Sequence, residues 1–369
     1  MKEKFNSCEL VNVGISYNKI NGGAAADSIR HIILEQNLNL IETDYRSIIP
    51  PHINLDDIFE NQDKFLEILN HAKTQATLLL KDLDGIIIPG SDARIDPRLY
   101  REPLTEHPDR IDLARSIAEL ALVHVAMQHG IPILGICGGH QIINVYLGGT
   151  LKALSEEDID AQGYMCYSLI GFNPKTELAK IFFEVRENRD NLRQTEIYSH
   201  QFFGAHKHAI KQLAHKELAN KDQMISVVAI ADDSNYTIEG FESKYGSPLY
   251  SMQFHPEVGA KGMYSQLYKT ISYQAATSED IRTNSKIFMA FKQAMITFHL
   301  KKSLFKCIRN KEEVLELKRH SESVSPEKKI ESSKTTSALD LYTLFKDTQS
   351  QVYNHHSNEP EKSLIKTGF

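Results

Sequence analysis

Tryptophan is absent from the 369 residues, and cysteine occurs only at Cys8, Cys137, Cys166 and Cys307. Those spacings match neither a metal knuckle nor a disulfide framework, so the expectation is free thiols in a reducing compartment, the cytoplasm. Long apolar runs are lacking too. Nothing approaches the roughly 18 residues that a bilayer-spanning helix needs, and the opening "MKEKFNSCELVNVGISYN" has no apolar stretch of the kind a secretory signal carries. A basic excess is also missing: 42 Lys and Arg against 48 Asp and Glu leave a net charge of -6, which argues against nucleic acid or a membrane surface as partner.

What is present is ample core material, 41% hydrophobic residues in a chain long enough for one large or two ordinary domains. Up to about residue 150, short β-rich runs alternate with helical patterns, the sequence form of a parallel sheet covered on both faces. Strands are read at 10–17, 38–45, 83–90 and in "IPILGIC", and helices at 25–36, 61–80 and 109–130, the last ending on a glycine. Three closely spaced strands at 224–232, 237–243 and 249–255 read as an antiparallel extension. A closing helix is expected over 285–308 with Asn284 or Ser285 as its cap. Residues 1–308 are thus read as one domain. Residues 309–369, rich in Lys, Glu and Ser, are read as a charged, disordered tail, within which "ALDLYTLF" (338–345) is a docking motif or simply a solvated stretch.

The chemistry concentrates at "GICGGHQIINVYLGGTL", residues 135–151. A strand running into Gly-x-Cys-x-Gly and then a helix is the cysteine form of a nucleophile elbow, in which small neighbours let the chain reverse and hold one side chain above the sheet. Gly135 and Gly139 supply the room, and the N-terminus of the following helix favours thiolate over thiol at Cys137. A packing cysteine would need no such flanks. At "MQFHPEV" (252–258) a histidine ends an apolar strand, and a carboxylate follows two residues later. Cys137, His255 and Glu257 therefore have the residue types of a triad: an imidazole accepts the thiol proton, and a carboxylate fixes its tautomer. In "IIIPGSDARIDPRLY" (86–100) the Pro-Gly turn offers Gly90 N–H as an oxyanion donor beside Gly138 N–H, though Pro-Gly is equally an ordinary turn.

These three segments together resemble the class I glutamine amidotransferase family, and within it the γ-glutamyl-γ-aminobutyrate hydrolase branch. The resemblance covers about residues 8–300. It implies a three-layer, flavodoxin-like α/β fold with a mostly parallel central sheet. It further implies Cys137 as nucleophile, His255 as base, Glu257 as orienting acid, and Gly90 and Gly138 as oxyanion hole. Gln141, one turn after the nucleophile, would bind the α-amino-acid end of a γ-glutamyl substrate, although spacing alone allows a solvated glutamine. Asn144 and "LGGTL" are read as packing and a tight turn.

Two departures stand out. Arg94 replaces the family's usual Asn, adding a positive charge at the substrate end of the pocket. The family's Ser-x-His-x-Gln-like segment is matched to "YSHQFFGAHKH" (198–208) only with a gap, giving Ser199, His200 and Gln201 as binding candidates. His206, His208 and His215 form a cluster without zinc-type spacing, so no metal is expected, nor any other cofactor. Cys8 and Cys166 are read as core filling. The expected activity is hydrolysis of γ-glutamyl amides through a thioester, with a small γ-glutamyl substrate as partner. Rival readings are a glutaminase subunit serving a separate synthetase, and an inactive binding relative whose tail carries the function. Homodimerisation and a protein ligand of the tail are left open.

Overall fold

A computed structural model describes residues 11–16, 24–104, 111–162, 165–183, 198–213, 225–231, 237–244, 246–260 and 278–322. The first half alternates as expected: β1 (Asn12–Ser16), α1 (Ala24–Glu35), β2 (Asn39–Thr43), α2 (Gln62–Leu80), β3 (Gly85–Ile88), α3 (Leu113–His129), β4 (Ile133–Ile136) and α4 (Gly138–Tyr146). Local chemistry sets the boundaries. Asn61 caps α2 by accepting from Lys64 N–H, Asp112 caps α3 by accepting from Arg115 N–H, and Gly130 closes α3 in the left-handed region at φ 66°.

The second half is β5 (Thr150–Ala153), α5 (Glu156–Gln162), β6 (Cys166–Phe172), α6 (Glu177–Phe183), β7 (Tyr198–Gly204), β8 (His208–Gln212), β9 (Ile225–Ala231), β10 (Ile238–Ser243), β11 (Leu249–Met252), α7 (Pro256–Ala260) and α8 (Ser278–Glu322). Among the described residues a nine-stranded sheet runs β2-β1-β3-β4-β11-β10-β9-β6-β7, and β5 pairs with β8 apart from it. From β2 to β11 every pairing is parallel; from β11 to β7 every pairing is antiparallel. The antiparallel extension therefore exists, but β11 joins the parallel core through β4, and the far edge is made by β6 and β7, which carried no strand reading.

α1, α6 and the start of α8 contribute to one large apolar cluster with the strands, including Ile29, Phe182, Phe288 and Phe291. α2 packs on α3, and α3 on α4. The fold is the three-layer α/β arrangement expected. Four phenylalanines lock the end of β11 in place: Phe254 stacks on Phe202 with centroids 4.2 Å apart and meets Phe172 and Phe182 at 6.1 Å. Aromatic pairs of this kind add about 0.5 to 1.5 kcal/mol beyond area burial, and here they fix the residue immediately before His255.

The closing helix differs from its expected span. It begins at Ser278, with Glu279 and Asp280 in its first turn, so Asn284 and Ser285 lie inside it and bond back to the carbonyls of Asp280 and Ile281. It also continues to Glu322. Lys, Glu, Leu and Arg are good helix formers, so the composition that reads as a tail from 309 also supports a helix. The described chain divides into a unit ending at Phe298 and one beginning at His299. In the second, residues 299–322 are helical, with Leu300, Leu304, Val314 and Leu315 exposed. Residues 323–369, including "ALDLYTLF", and Cys8 lie outside the described residues, as does the side chain of Cys166. No described helix is long and apolar enough to cross a membrane.

Candidate active site

Three adjacent parallel strands, β3, β4 and β11, end side by side, with Ile88 opposite Gly135 and Met252 opposite Ile136. The residues that follow them are Gly90, Cys137 and His255. Carboxyl ends of parallel strands are where open α/β sheets hold ligands, and the register brings the three sequence-predicted segments to one level.

Cys137 sits at φ 51°, ψ -103°, a conformation that L residues rarely adopt, with its N–H bonded to Met252 O at 2.8 Å. Such geometry costs on the order of 1 to 3 kcal/mol and persists where surrounding contacts impose it. The imposing contact is close helix packing: a Cβ on Gly139 would lie 1.9 Å from Ile88 O, so α4 rides directly on the end of β3. Gly90 is constrained more mildly. A Cβ there would fall 3.0 Å from His255 Cε1 and 3.2 Å from Cys137 Cβ. Gly138 opens α4, whose first N–H groups have no intrahelical acceptor.

His255 Nδ1 lies 2.6 Å from Glu257 Oε1, and both side chains are buried. Proline at the first position of α7 starts a helical turn directly after His255, which folds Glu257 back onto the ring. With Nδ1–H donated to the carboxylate, Nε2 is the buried ring nitrogen left to accept a proton. Burial opposes charge on the imidazole, but Glu257 and Cys137 hold its pKa well above the ordinary histidine value. Burial likewise pushes the Cys137 thiol up, yet the charge and hydrogen bond of His255, helped by His206, bring it below the ordinary value. Both shifts act in the direction that favours thiolate beside imidazolium.

A second buried histidine-carboxylate pair stands behind the first. His206, in the connection from β7 to β8, places Nε2 3.4 Å from Glu239 Oε1, and its Nδ1 lies 3.1 Å from His208 O. Burial disfavours its charge, but Glu239 and then Cys137 raise its pKa above the usual value. Neither role is legible in the sequence: His206 reads as one of a histidine cluster, and Glu239 belongs to no motif. The available signal was an acid inside the apolar strand "TIEGF" at an inward position. Gln253 is a further addition, its Nε2 donating to Cys137 Sγ at 3.5 Å.

Gln141 does face the site, but both of its N–H groups are committed, to His208 O at 2.8 Å and Gln253 Oε1 at 3.0 Å. Only its oxygen is left to receive a substrate ammonium. Asn144 holds the turn as expected, donating to Thr150 O and Gln212 O. Ser199, His200 and Gln201 are not brought to the thiol. They pair residue for residue with β6, Ser199 and Gln201 are exposed, and His200 Nε2 faces Asp280 at 3.3 Å. The segment reaches the site five and seven residues after Gln201, through His206 and His208. His215 lies outside the described residues, and no group of metal-ligating side chains occurs among those described.

Beside Gln141 a cavity of about 230 Å³ is lined by Arg94, Tyr100, Glu102, Lys152, His208 and Lys211, among others. Burial, then the charges of Arg94 and His206, push His208 down to about 4, so it is neutral at pH 7. Lys211 pairs with Glu102 at 2.5 Å. The charged residues lining the cavity are therefore Arg94, Lys152 and Lys211 against Glu102.

A family model described as Peptidase C26 matches residues 65–257, a span that contains Gly90, Cys137, His255 and Glu257. A "Putative ankyrin repeat protein" of Rickettsia bellii is 33% identical over 304 residues, covering 81% of this chain and 44% of that protein. A "Putative glutamine amidotransferase-like protein" of Rickettsia prowazekii is 34% identical over 149 residues, covering 36% of this chain and 91% of that protein. A "Gamma-glutamyl-gamma-aminobutyrate hydrolase" of Escherichia coli is 42% identical over 86 residues, covering 22% of this chain and 33% of that protein. The chain spans less than half the length of the Rickettsia bellii relative and a third of the hydrolase.

Proposed function

This chain belongs to the Peptidase C26 family, and on that premise we propose that it is a cysteine hydrolase of γ-glutamyl amides, active without cofactor or partner. The observation that carries the reading is the placement of Cys137, His255 with Glu257, and Gly90 at the ends of three neighbouring parallel strands. Cys137 Sγ attacks the γ-carbonyl carbon, and the resulting oxyanion rests on the N–H groups of Gly90 and Gly138. His255 gives the proton it holds to the departing amine, leaving a γ-glutamyl thioester. Neutral His255 then takes a proton from water, whose oxygen attacks the thioester and releases glutamate.

The cavity beyond Gln141 supports a preference for acidic amines. Arg94 and Lys152 line it, and an amine bearing a carboxylate would complement that charge. A charge-assisted hydrogen bond contributes about 1.5 to 3 kcal/mol. The purified protein, without ATP, is expected to cleave γ-glutamyl-γ-aminobutyrate faster than glutamine, and Arg94→Ala to narrow that preference by roughly 10- to 100-fold. Equal rates for acidic and neutral amines remove the case for Arg94. No cleavage of any γ-glutamyl amide, with Cys137 still readily alkylated, favours a glutaminase subunit that waits for a synthetase.

A further inference from the structure

Beneath the turn that carries Gly90 lies a buried polar chain that the mechanism above does not use. Arg115, in the first turn of α3, donates through Nη2 to Pro89 O at 3.3 Å and through Nε to Glu119 Oε1 at 2.9 Å. Glu119 Oε1 also accepts from Ser16 Oγ, at the end of β1, at 2.9 Å. The two charged side chains are 12% and 4% exposed. An ion pair this dry is poor evidence of stabilisation, because desolvation offsets most of the attraction. Its placement calls for another explanation.

Pro89 O is the carbonyl of the peptide whose N–H belongs to Gly90. No peptide bond among the described residues is cis, so the carbonyl and the N–H of this peptide point in opposite directions. A bond that holds one aims the other. Turned over, the same peptide would put a carbonyl oxygen where a donor is needed and would repel the developing oxyanion. Nothing in a Pro-Gly-Ser turn forbids that flip. Glycine is the residue least able to resist it, and a Cβ at Gly90 would press on His255 Cε1 at 3.0 Å and Cys137 Cβ at 3.2 Å. Arg115 also approaches Gly138: its Nη2 lies 3.8 Å from the point a Cβ there would occupy, and Pro89 O 3.7 Å from the same point. The guanidinium thus holds the carbonyl behind the first donor and lies beside the residue that carries the second.

We infer that Arg115, braced by Glu119 and Ser16, is a positioning residue that locks the Pro89–Gly90 peptide with its N–H toward the thiol, keeping the oxyanion hole formed before substrate arrives. The inference rests on the proposed use of Gly90 as oxyanion donor. It explains why an Arg-Glu pair is buried here, and why the arginine's fork is split between a carboxylate and a carbonyl. Lysine, with one nitrogen, cannot hold both partners in that geometry.

The test separates oxyanion stabilisation from thiolate formation, which belongs to His255. A γ-glutamyl aldehyde is the probe: Cys137 Sγ bonds to the aldehyde carbon, the C=O π pair becomes the oxyanion, and the thiol proton stays on His255. Arg115→Gln is expected to lower kcat/KM for a γ-glutamyl amide about 10- to 100-fold, since loss of an oxyanion donor outright costs 100- to 1,000-fold. KM should hold, and aldehyde affinity should fall by the same factor as kcat/KM. The pH profile of Cys137 alkylation by iodoacetamide, which develops no oxyanion, should not move. Glu119→Gln, which keeps the shape but loosens the brace, is expected to give a smaller loss in the same direction, and it serves if Arg115→Gln does not fold. Unchanged kcat/KM and aldehyde affinity in a folded variant overturn the inference. So does a fall in alkylation that matches the fall in turnover, because that marks general disruption of the site. A wild-type protein that cleaves no γ-glutamyl amide overturns the proposed function as well.

Discussion

Two histidine-carboxylate pairs converge on one thiol, and they are built in opposite ways. His255 and Glu257 are two residues apart in a strand-to-helix turn and meet at 2.6 Å. His206 and Glu239 come from the β7–β8 connection and from the central antiparallel strand β10, and meet at 3.4 Å. The first pair belongs to the parallel half of the sheet and is the one proposed to exchange protons with Cys137. The second belongs to the antiparallel half and, on the same proposal, acts through charge. The difference teaches that proton transfer requires short, locally encoded geometry, whereas electrostatic tuning of a thiol tolerates a looser contact assembled from distant parts of the chain.

Substitutions at the two sites should therefore differ in size and kind. Cys137→Ala is expected to abolish turnover, and His255→Gln to lower kcat/KM about a thousandfold, within the range general acid-base groups contribute. His206→Gln should cost only about tenfold, on the order of one charge-assisted contact, and only under mildly acid conditions. Its positive charge helps depress the Cys137 pKa, so its removal raises that pKa and slows alkylation at pH 6 while leaving the rate above pH 9 unchanged. A thousandfold loss in His206→Gln across the whole pH range would make it a proton-transfer residue and collapse the distinction.

A smaller effect sharpens the comparison through stability. The pKa of His206 is raised in the folded protein, against an opposing burial effect, by Glu239. A group raised on folding contributes stability fully below its unfolded pKa of about 6.5 and loses it as pH climbs through the folded value. Glu239→Gln should then lower Tm more at pH 5.5 than at pH 9; a deficit that grows with pH contradicts the pairing. Smallest of all, Ser199→Ala and Gln201→Ala, on the exposed side of β7, should leave kcat, KM and Tm unchanged.

The same contrast explains what could be read from the chain. The elbow at Cys137, the His-Pro-Glu turn and the Pro-Gly loop each lie within a few residues, and each carries its geometry in local steric and helical rules. They emerged at the expected strand ends. The parallel strands were equally legible, because buried runs such as "GIII" and "ILGI" are bounded by glycine and proline. β6 and β7 were not, since they depend on pairing with each other and with β9 rather than on a pattern of their own. His206 with Glu239, and Arg115 with Pro89 O, are contacts across 33 and 26 positions, and no spacing rule announces them. That the candidates at 199–201 lie within β7 rather than in the loop after it has the same origin: a strand's end and its following loop look alike until the partner strand is known.

The central claim is a covalent one. Wild-type protein mixed with γ-glutamyl-γ-aminobutyrate, quenched in acid within the first turnover and analysed by intact and peptide mass spectrometry, should carry one γ-glutamyl group on the peptide containing Cys137. That adduct should disappear in parallel with glutamate release. Glutamate release at the wild-type rate from Cys137→Ala, or turnover by wild-type protein whose Cys137 peptide never gains the adduct, would contradict the account.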